Sequence, residues 1–187
     1  MLPTVLFPLF FRHTDPRFPF LWESQDQPPA RWNAGGEGPV QYLADTPDGA
    51  WAEFLRHEGI TEAEDLLGVE RDLWAVELPA GEEPTAAPTL PPAVLKGGTD
   101  TYSACQAEAR RLRDLDFAGL IAPSAALLPG AAGGWLVHGG HLLPGPPRDG
   151  EVVVLFGARP DLVGWSACSR SRPDSTILPK VRHLPVA

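Results

Sequence analysis

Hydrophobic and polar positions along the chain predict a series of short strands. Apolar runs bounded by turn residues predict strands at residues 6–11, Val40–Ala44, residues 73–78 and Glu151–Phe156. The last run is apolar throughout after its first residue, which is typical of a central strand buried on both faces. Residues 118–125 predict a further strand that enters a turn.

Two longer helices are indicated between these strands. Thr46 is a candidate N-cap, Pro47 occupies the first helical position, and Gly59 suits a left-handed residue at the C-terminus, so a helix is predicted over Pro47–Glu58. Residues 103–117 place apolar side chains at helical spacing, with three arginines outside that face. The predicted elements therefore include both helices and strands.

Three stretches are predicted to be short or irregular. The prolines of residues 14–30 remove backbone donors, which predicts a long surface loop or a lid. Residues 79–98 are also rich in proline and are predicted to form an exposed loop inserted within the domain. Between these two stretches, Thr61 with Glu64 three residues later is a capping pattern that predicts a short helix.

Length and charge narrow the class of protein. A chain of 187 residues with 43% apolar content can form one sizeable core but is short for two, which predicts a single domain over residues 1–187. The net charge of −9 argues against direct nucleic-acid binding, because an acidic surface repels the phosphate backbone. Residues 170–187 are locally basic, as expected for either a solvated tail or a strip that binds a partner or a phosphate.

The first residues and the two cysteines indicate where the protein resides and whether it binds a metal. The apolar opening lacks a preceding basic residue and reaches Arg12 too soon to span a bilayer, so neither export nor membrane association is predicted. Cys105 and Cys168 lie in no zinc-binding spacing, which predicts buried free thiols in a reducing cytoplasm and no metal site. His138 and His141 also lack a metal-binding constellation.

The segment over residues 30–57, ARWNAGGEGPVQYLADTPDGAWAEFLRH, crowds polar and aromatic side chains around a glycine-rich turn. Such a pattern is more typical of a functional site than of core packing. Gly35, Gly36 and Gly38 would allow the backbone to approach a ligand closely. Their spacing is not that of a dinucleotide-binding loop, and no strand directly precedes them, so a Rossmann fold is not predicted.

Several motifs of this chain stand in the order and spacing of a known protein family. The matching residues of the first half are Arg31-Trp32-Asn33, Tyr42, and residues 50–53 within a helix that ends in His57. Those of the second half are Tyr102, Cys105-Gln106, the Pro-Ser turn at Ser124 and the run VVVLFG. Together these motifs resemble those of the RES domain family of bacterial toxins. The resemblance covers about residues 8–158; it departs where Pro28, Pro29 and Ala30 replace the expected glycines and where residues 79–98 are inserted.

The resemblance implies a fold, a substrate and a partner. The implied fold is an α+β domain of the ADP-ribosyltransferase type, with a mixed or antiparallel β core flanked by helices. The implied reaction is cleavage of the nicotinamide–ribose bond of NAD by phosphate or water, which depletes cellular NAD. Transfer of ADP-ribose to a protein is one alternative, and a catalytically silent module that binds a nucleotide or an antitoxin is another. The implied partner is a cognate antitoxin, typically DNA-binding, in the cytoplasm.

The family takes its name from an arginine, a glutamate and a serine, and the resemblance assigns the catalytic residues. Glu53 would bond the nicotinamide ribose and balance the positive charge of an oxocarbenium-like transition state. Arg31 would present planar, bidentate donors to the diphosphate. Tyr42 would stack on the cationic nicotinamide ring. An exposed helix carboxylate, a surface ion pair and a core tyrosine are the respective structural alternatives.

The resemblance also assigns residues that hold NAD. Arg12 is a further arginine for the diphosphate, while Trp32 and Asn33 complete the turn that begins with Arg31. Ser124 would bond a phosphate or orient Glu53, unless it only caps a turn. One helical turn beyond Glu53, His57 either pins that carboxylate or is an ordinary core or C-terminal histidine.

Overall fold

A six-stranded antiparallel sheet forms the centre of the protein in the computed structural model, which describes residues 8–184. The strands in chain order are β1 (Leu9–Thr14), β2 (Val40–Ala44), β3 (Arg71–Glu77), β4 (Gly119–Pro123), β5 (Trp135–His138), β6 (His141–Pro144), β7 (Glu151–Phe156) and β8 (Val163–Ser171). The sheet has the order β4-β7-β2-β1-β3-β8, and β5 and β6 form a separate hairpin. Every strand pair of the described chain is antiparallel.

Helices cover one face of this sheet and loops cover the other. The α-helices of the described residues are α1 (Pro47–Glu58), α2 (Pro92–Leu95) and α3 (Tyr102–Asp114), with short 3-10 helices at Ala63–Gly68, Thr99–Thr101 and Ser175–Lys180. Phe54 and Leu55 of α1 pack in one core cluster, and Leu112 of α3 packs in a second. A third cluster, which includes Val153 and Leu155, lies on the opposite face. The predicted α+β class, an antiparallel sheet flanked by helices, is confirmed.

The helix predicted over Pro47–Glu58 is confirmed at both ends. The Thr46 hydroxyl accepts a hydrogen bond from the Gly49 N–H at 3.0 Å, which satisfies one of the unpaired donors of the first turn. At the other end Gly59 is left-handed, with φ of 66°, and its N–H donates to the carbonyl of Leu55. This helix carries Glu53 to the sheet.

A short helix follows Thr61 as predicted, but the side-chain cap predicted at Thr61 is wrong. The short element that follows is a 3-10 helix without a side-chain cap, and the Thr61 hydroxyl instead contacts the carboxylate of neighbouring Glu62. We therefore expect T46A to lower the free energy of unfolding by about 1 kcal/mol, and the matched change T61A to leave it within about 0.5 kcal/mol. Urea denaturation measures both. Equal losses in the two variants would contradict the assignment of the cap to Thr46.

The predicted strands are present, with small shifts at their ends. Val40–Ala44 and Glu151–Phe156 have the predicted bounds, and β7 lies between β4 and β2 as a central strand. The predicted strand over residues 6–11 is observed from Leu9, and residues 6 and 7 lie outside the described residues. Helix α3 ends at Asp114, earlier than predicted, because Asp116 takes a left-handed φ of 61°.

Two segments predicted to be peripheral belong to the core, and β8 was not predicted. Within residues 79–98, Ala86 and Leu95 are buried, and the Ala86 carbonyl accepts the Ile121 N–H at the outer edge of β4. Within residues 170–184, Ile177 and Val181 pack in the cluster beneath α1, so a solvated tail is wrong for this part.

Of the two thiols predicted to be buried, Cys105 is buried and Cys168 is exposed on β8. Residues 15–29 form the predicted loop.

Candidate functional site

A cavity opens where the two central strands separate. Strands β1 and β2 are neighbours but pair only at Phe11 and Ala44, whereas β2 and β7 pair along their whole length. The cavity has a volume of about 410 Å³, which is within the range of small-molecule and cofactor sites. Its lining includes Arg12, His13 and Thr14 of β1, Tyr42, Leu43 and Ala44 of β2, and Ala50, Glu53, Arg56 and His57 of α1.

Glu53 lines this cavity and is held by Ser124. Ser124 follows β4, is only 4% exposed, and accepts the N–H groups of Ala126 and Leu127 on its hydroxyl oxygen. Its single hydroxyl proton is thus directed to the Glu53 carboxylate, with Oγ to Oε1 at 3.3 Å. Of the two roles predicted for Ser124, contact with Glu53 is present in the structure, whereas contact with a phosphate stays a prediction.

Tyr42 locks the Arg31-Trp32-Asn33 turn onto β2. Its hydroxyl donates to Asn33 Oδ1 at 2.7 Å and accepts the Trp32 N–H at 2.9 Å. Burial raises the pKa of Tyr42, so the phenol stays neutral at physiological pH. Trp32 and Tyr42 line the cavity, whereas Asn33 is fully buried and bonds the Pro28 carbonyl. The predicted NAD contacts of these three residues stay predictions.

Arg31 lines the cavity, but protein groups occupy its guanidinium. Its Nη1 donates to the carbonyl of Val94 at 3.2 Å and to the hydroxyl of Thr101 at 3.3 Å, and its Nη2 donates to the carbonyl of Gly97 at 2.7 Å. The guanidinium also lies over the ring of Tyr102, 4.9 Å from its centroid. Residues 79–98 thus hold this arginine in place, and its grip on a diphosphate stays a prediction.

Arg56 is a second buried arginine of the site, and no motif of the sequence predicted it. It is 3% exposed, and it donates to the carbonyls of Ala125, Arg182 and Gly97 at 2.6 to 2.7 Å. Burial lowers the pKa of Arg56, while the charge of Glu53 opposes that shift. The Gly97 carbonyl therefore accepts from both Arg31 and Arg56. The one signal in the sequence was that Arg56 lies three residues after Glu53 on the predicted helix.

Strands β1 and β3 supply two further arginines, Arg12 and Arg71, on another wall of the cavity. Arg12 donates from Nη1 to Gln41 Oε1 at 3.1 Å, and burial lowers the pKa of Arg12 to about 10, so it stays charged at neutral pH. Arg71 of β3, also missed in the sequence, lies 5.0 Å from the Phe54 ring centroid and 3.2 Å from His13 Nδ1. Arg71 follows no motif, and only the pairing of β1 with β3 brings it to the cavity.

The buried His13 makes the free energy of unfolding of the protein depend on pH. Burial, helped by the charges of Arg71, Arg12 and His57, lowers its pKa from 6.5 to about 3. The unfolded chain therefore binds more protons than the native chain between these values, and stability falls as pH drops below about 6.5. We expect the free energy of unfolding to lose about 1 kcal/mol from this group between pH 7.5 and 5.5.

Urea denaturation at the two pH values measures this loss. H13N should show a smaller loss between pH 7.5 and 5.5 than the unmutated protein. The same change at the exposed hairpin residue, H138N, should leave the pH dependence as it is. If H13N retained the full dependence, another group would be responsible for it.

Other predicted features lie at the margin of the site. Gly36 and Gly38 have positive φ and shape their turn, but neither they nor Gly35 line the cavity. His57 lines the cavity, yet no hydrogen bond joins it to Glu53 within the described residues.

Across residues 8–184 there is no group of three or more acidic, histidine or cysteine side chains able to hold a metal. No helix in that range is long and apolar enough to cross a membrane.

Comparison with known proteins agrees with this architecture. The sequence matches the RES domain family over residues 10–167. The crystal structure of the M. tuberculosis MbcT–MbcA toxin–antitoxin complex contains a similar chain, with a TM-score of 0.57 and 19% identity, covering 93% of this chain and 88% of that one. At that identity the likeness shows a shared fold. Among curated proteins, no match is found. Because the matched residues span most of its length, the chain belongs to the RES domain family.

Proposed function

We propose that this protein cleaves the nicotinamide–ribose bond of NAD in the cavity between β1 and β2. The observation that carries the proposal is the Glu53 carboxylate, oriented by a buried serine in a cavity lined by four arginines. NAD combines an anionic diphosphate with a cationic nicotinamide, so it suits a site that holds several cations and the Glu53 carboxylate; the other carboxylate of the lining, Asp15, is paired with Arg17. The arginines are Arg12, Arg31, Arg56 and Arg71.

Glu53 supplies electrostatic stabilisation in this scheme. Nicotinamide leaves as a neutral base, and positive charge develops on the ribose carbon and ring oxygen as the bond breaks. No general acid is needed for that departure. Because Ser124 donates to Oε1, the orientation of the carboxylate is set before the reaction, and Oε2 remains to bond a ribose hydroxyl. The carboxylate then lies beside the developing charge.

The remaining residues bind and orient NAD. The ring of Tyr42 packs against the nicotinamide, and Trp32 next to it excludes water. Asn33 acts through Tyr42, because its Oδ1 accepts a hydrogen bond from the Tyr42 hydroxyl. Arg12 and Arg31 bind the diphosphate, and Arg31 exchanges a protein carbonyl for a phosphate oxygen as it does so. The chemistry assigned here needs no metal.

The acceptor is decided by product analysis. Purified protein is incubated with NAD in buffers with and without inorganic phosphate, and nicotinamide and the ADP-ribosyl product are followed by mass spectrometry. Phosphorylated ADP-ribose identifies a phosphorylase, free ADP-ribose identifies a glycohydrolase, and a mass increase on an added protein identifies an ADP-ribosyltransferase. Absence of nicotinamide release in all three conditions would overturn the proposal and leave a binding module.

A regulatory protein that binds this chain is part of the proposal. The structural neighbour was crystallised as a toxin–antitoxin complex. In this chain, the β5–β6 hairpin exposes Trp135, Val137 and Leu142, and exposed apolar patches of this kind often mark protein interfaces. We expect E53Q to co-purify with a DNA-binding protein from its native cytoplasm. That protein, added to the active enzyme, should slow nicotinamide release; a captured protein without this effect would not be the antitoxin.

A further inference from the structure

Gln41 is a fully buried polar side chain with an unusual set of partners. It lies on β2, is 0% exposed, and points to the face shared by its neighbour Leu43. Its Oε1 accepts from Arg12 Nη1 at 3.1 Å and from the Trp22 N–H at 2.9 Å, and its Nε2 donates to the Trp22 carbonyl. Burial of an amide costs free energy unless its polar atoms are hydrogen-bonded, and here both atoms have partners. Through these bonds Gln41 joins Arg12 to the 15–29 loop.

Arg12 and the 15–29 loop, which Gln41 joins from behind, form the far wall of the cavity. Tyr42 and Ala44 pack with the clusters beneath the helices, whereas Leu43, and Gln41 with it, lies on the opposite face of the sheet. The cavity is lined from both sides, by Glu53 from the helix face and by Phe18, Pro19 and Trp22 from the loop face. A ligand that passes between β1 and β2 would therefore have one end at Glu53 and the other against this loop.

The far wall combines an aromatic surface with a cation. The indole of Trp22 is oriented by a hydrogen bond from Nε1 to the Ser24 carbonyl at 2.9 Å, and its backbone is held by both polar atoms of Gln41. Beside it, Arg12 remains charged, and Phe18 at 58% exposure lies at the cavity margin. A planar base stacks on such an aromatic side chain, and an arginine binds the phosphate attached to it.

We infer that Trp22 and Arg12 form an adenylate subsite, in which Trp22 stacks on the adenine and Arg12 binds the adjoining phosphate. Gln41 is the positioning residue that sets the distance between them. This inference rests on the proposed function, because it takes the nicotinamide end of NAD to lie at Glu53. It adds that part of the affinity for the dinucleotide comes from the face of the sheet opposite the reacting bond.

Binding of ADP and of nicotinamide mononucleotide, which lacks the adenylate, tests the inference by calorimetry. We expect W22A to weaken ADP binding by about 10-fold or more and to leave binding of nicotinamide mononucleotide unchanged. In turnover, W22A should raise KM for NAD with little change in kcat. The matched change W165A, at a 59% exposed tryptophan on β8, should alter neither. Equal weakening of both ligands by W22A, or no ADP binding by the unmutated protein, would overturn the inference.

Variants of Gln41 test its positioning role. Q41L removes every contact with Arg12 and Trp22, and Q41E keeps both acceptor contacts, so Q41E should bind ADP more tightly than Q41L. Melting temperatures check that both fold. Equal ADP affinity in Q41L and the unmutated protein would remove Gln41 from the proposal. ADP binding that depends on Trp22, without NAD turnover, would refute the proposed function alone; turnover with ADP binding independent of Trp22 would refute the subsite alone.

Discussion

Replacing Glu53 with glutamine is expected to slow NAD cleavage by about 100- to 1000-fold. Glutamine has the same shape and still accepts the Ser124 hydroxyl proton, so the cavity should keep its form. What is lost is the negative charge beside the ribose as positive charge develops there. The loss should therefore appear in kcat, with a small change in KM, because the interaction is stronger in the transition state than in the bound substrate.

The matched control is E58Q, at an exposed carboxylate at the end of the same helix. It removes the same charge from α1 at a distance from the cavity lining and should leave kcat unchanged. Nicotinamide release is measured for both variants beside the unmutated protein. If E53Q retained full kcat, Glu53 would have no catalytic role, and if both variants lost activity equally, the effect would lie in the net charge of the helix.

Replacing Arg56 with methionine is expected to lower the free energy of unfolding by about 3 to 5 kcal/mol, the largest loss of stability among the variants described. Methionine fills part of the space but donates no hydrogen bond. It removes the donor that now serves the carbonyls of Ala125, Gly97 and Arg182. The Gly97 carbonyl keeps Arg31 as a donor and the Ala125 carbonyl keeps the Arg182 guanidinium, so the Arg182 carbonyl is the acceptor that is left unpaired. Hydrogen bonds to charged groups contribute about 1.5 to 3 kcal/mol each, and a buried acceptor left unpaired adds a desolvation cost.

The matched control is R110M, at an arginine whose side chain is half exposed and paired with Glu37. An exposed ion pair contributes about 1 kcal/mol or less, so R110M should change stability little. Urea denaturation gives both values. A loss below 1 kcal/mol in R56M would mean that water replaces the guanidinium at the three carbonyls, and Arg56 would then not hold the carboxyl-terminal segment to α1.

The arrangement around Gly97 connects stability to the site. Its carbonyl accepts from Arg31 and Arg56, which line the same cavity from different elements. A Cβ at Gly97 would lie 2.4 Å from Thr101 Cγ2 and 2.8 Å from the Ala93 carbonyl oxygen, so no side chain fits without movement of the backbone. The proline-rich residues 79–98 therefore act as a structural part of the site, although their composition predicted only an exposed loop.

Much of the local structure was predictable from the sequence. The cap at Thr46, the proline after it and Gly59 act within one helical turn, so helix α1 could be placed at both ends. Strand β7 was predictable for a similar reason, because a short, continuous apolar run is typical of a strand that is buried on both faces. Glu53 and Ser124 were identified through a family resemblance, and their contact was one of two roles expected for Ser124.

The sequence by itself determined the elements that depend on neighbouring residues: helix α1, strands β2 and β7, and the motifs that resemble the RES domain family. Only the tertiary structure decided which side chains meet in the cavity. Arg56 contacts Arg182 across 126 positions of the chain, and Gln41 holds Trp22 from a different segment. Local patterns carry no information on such pairs, because packing of the whole chain selects their partners, whereas capping and strand burial act over a few residues.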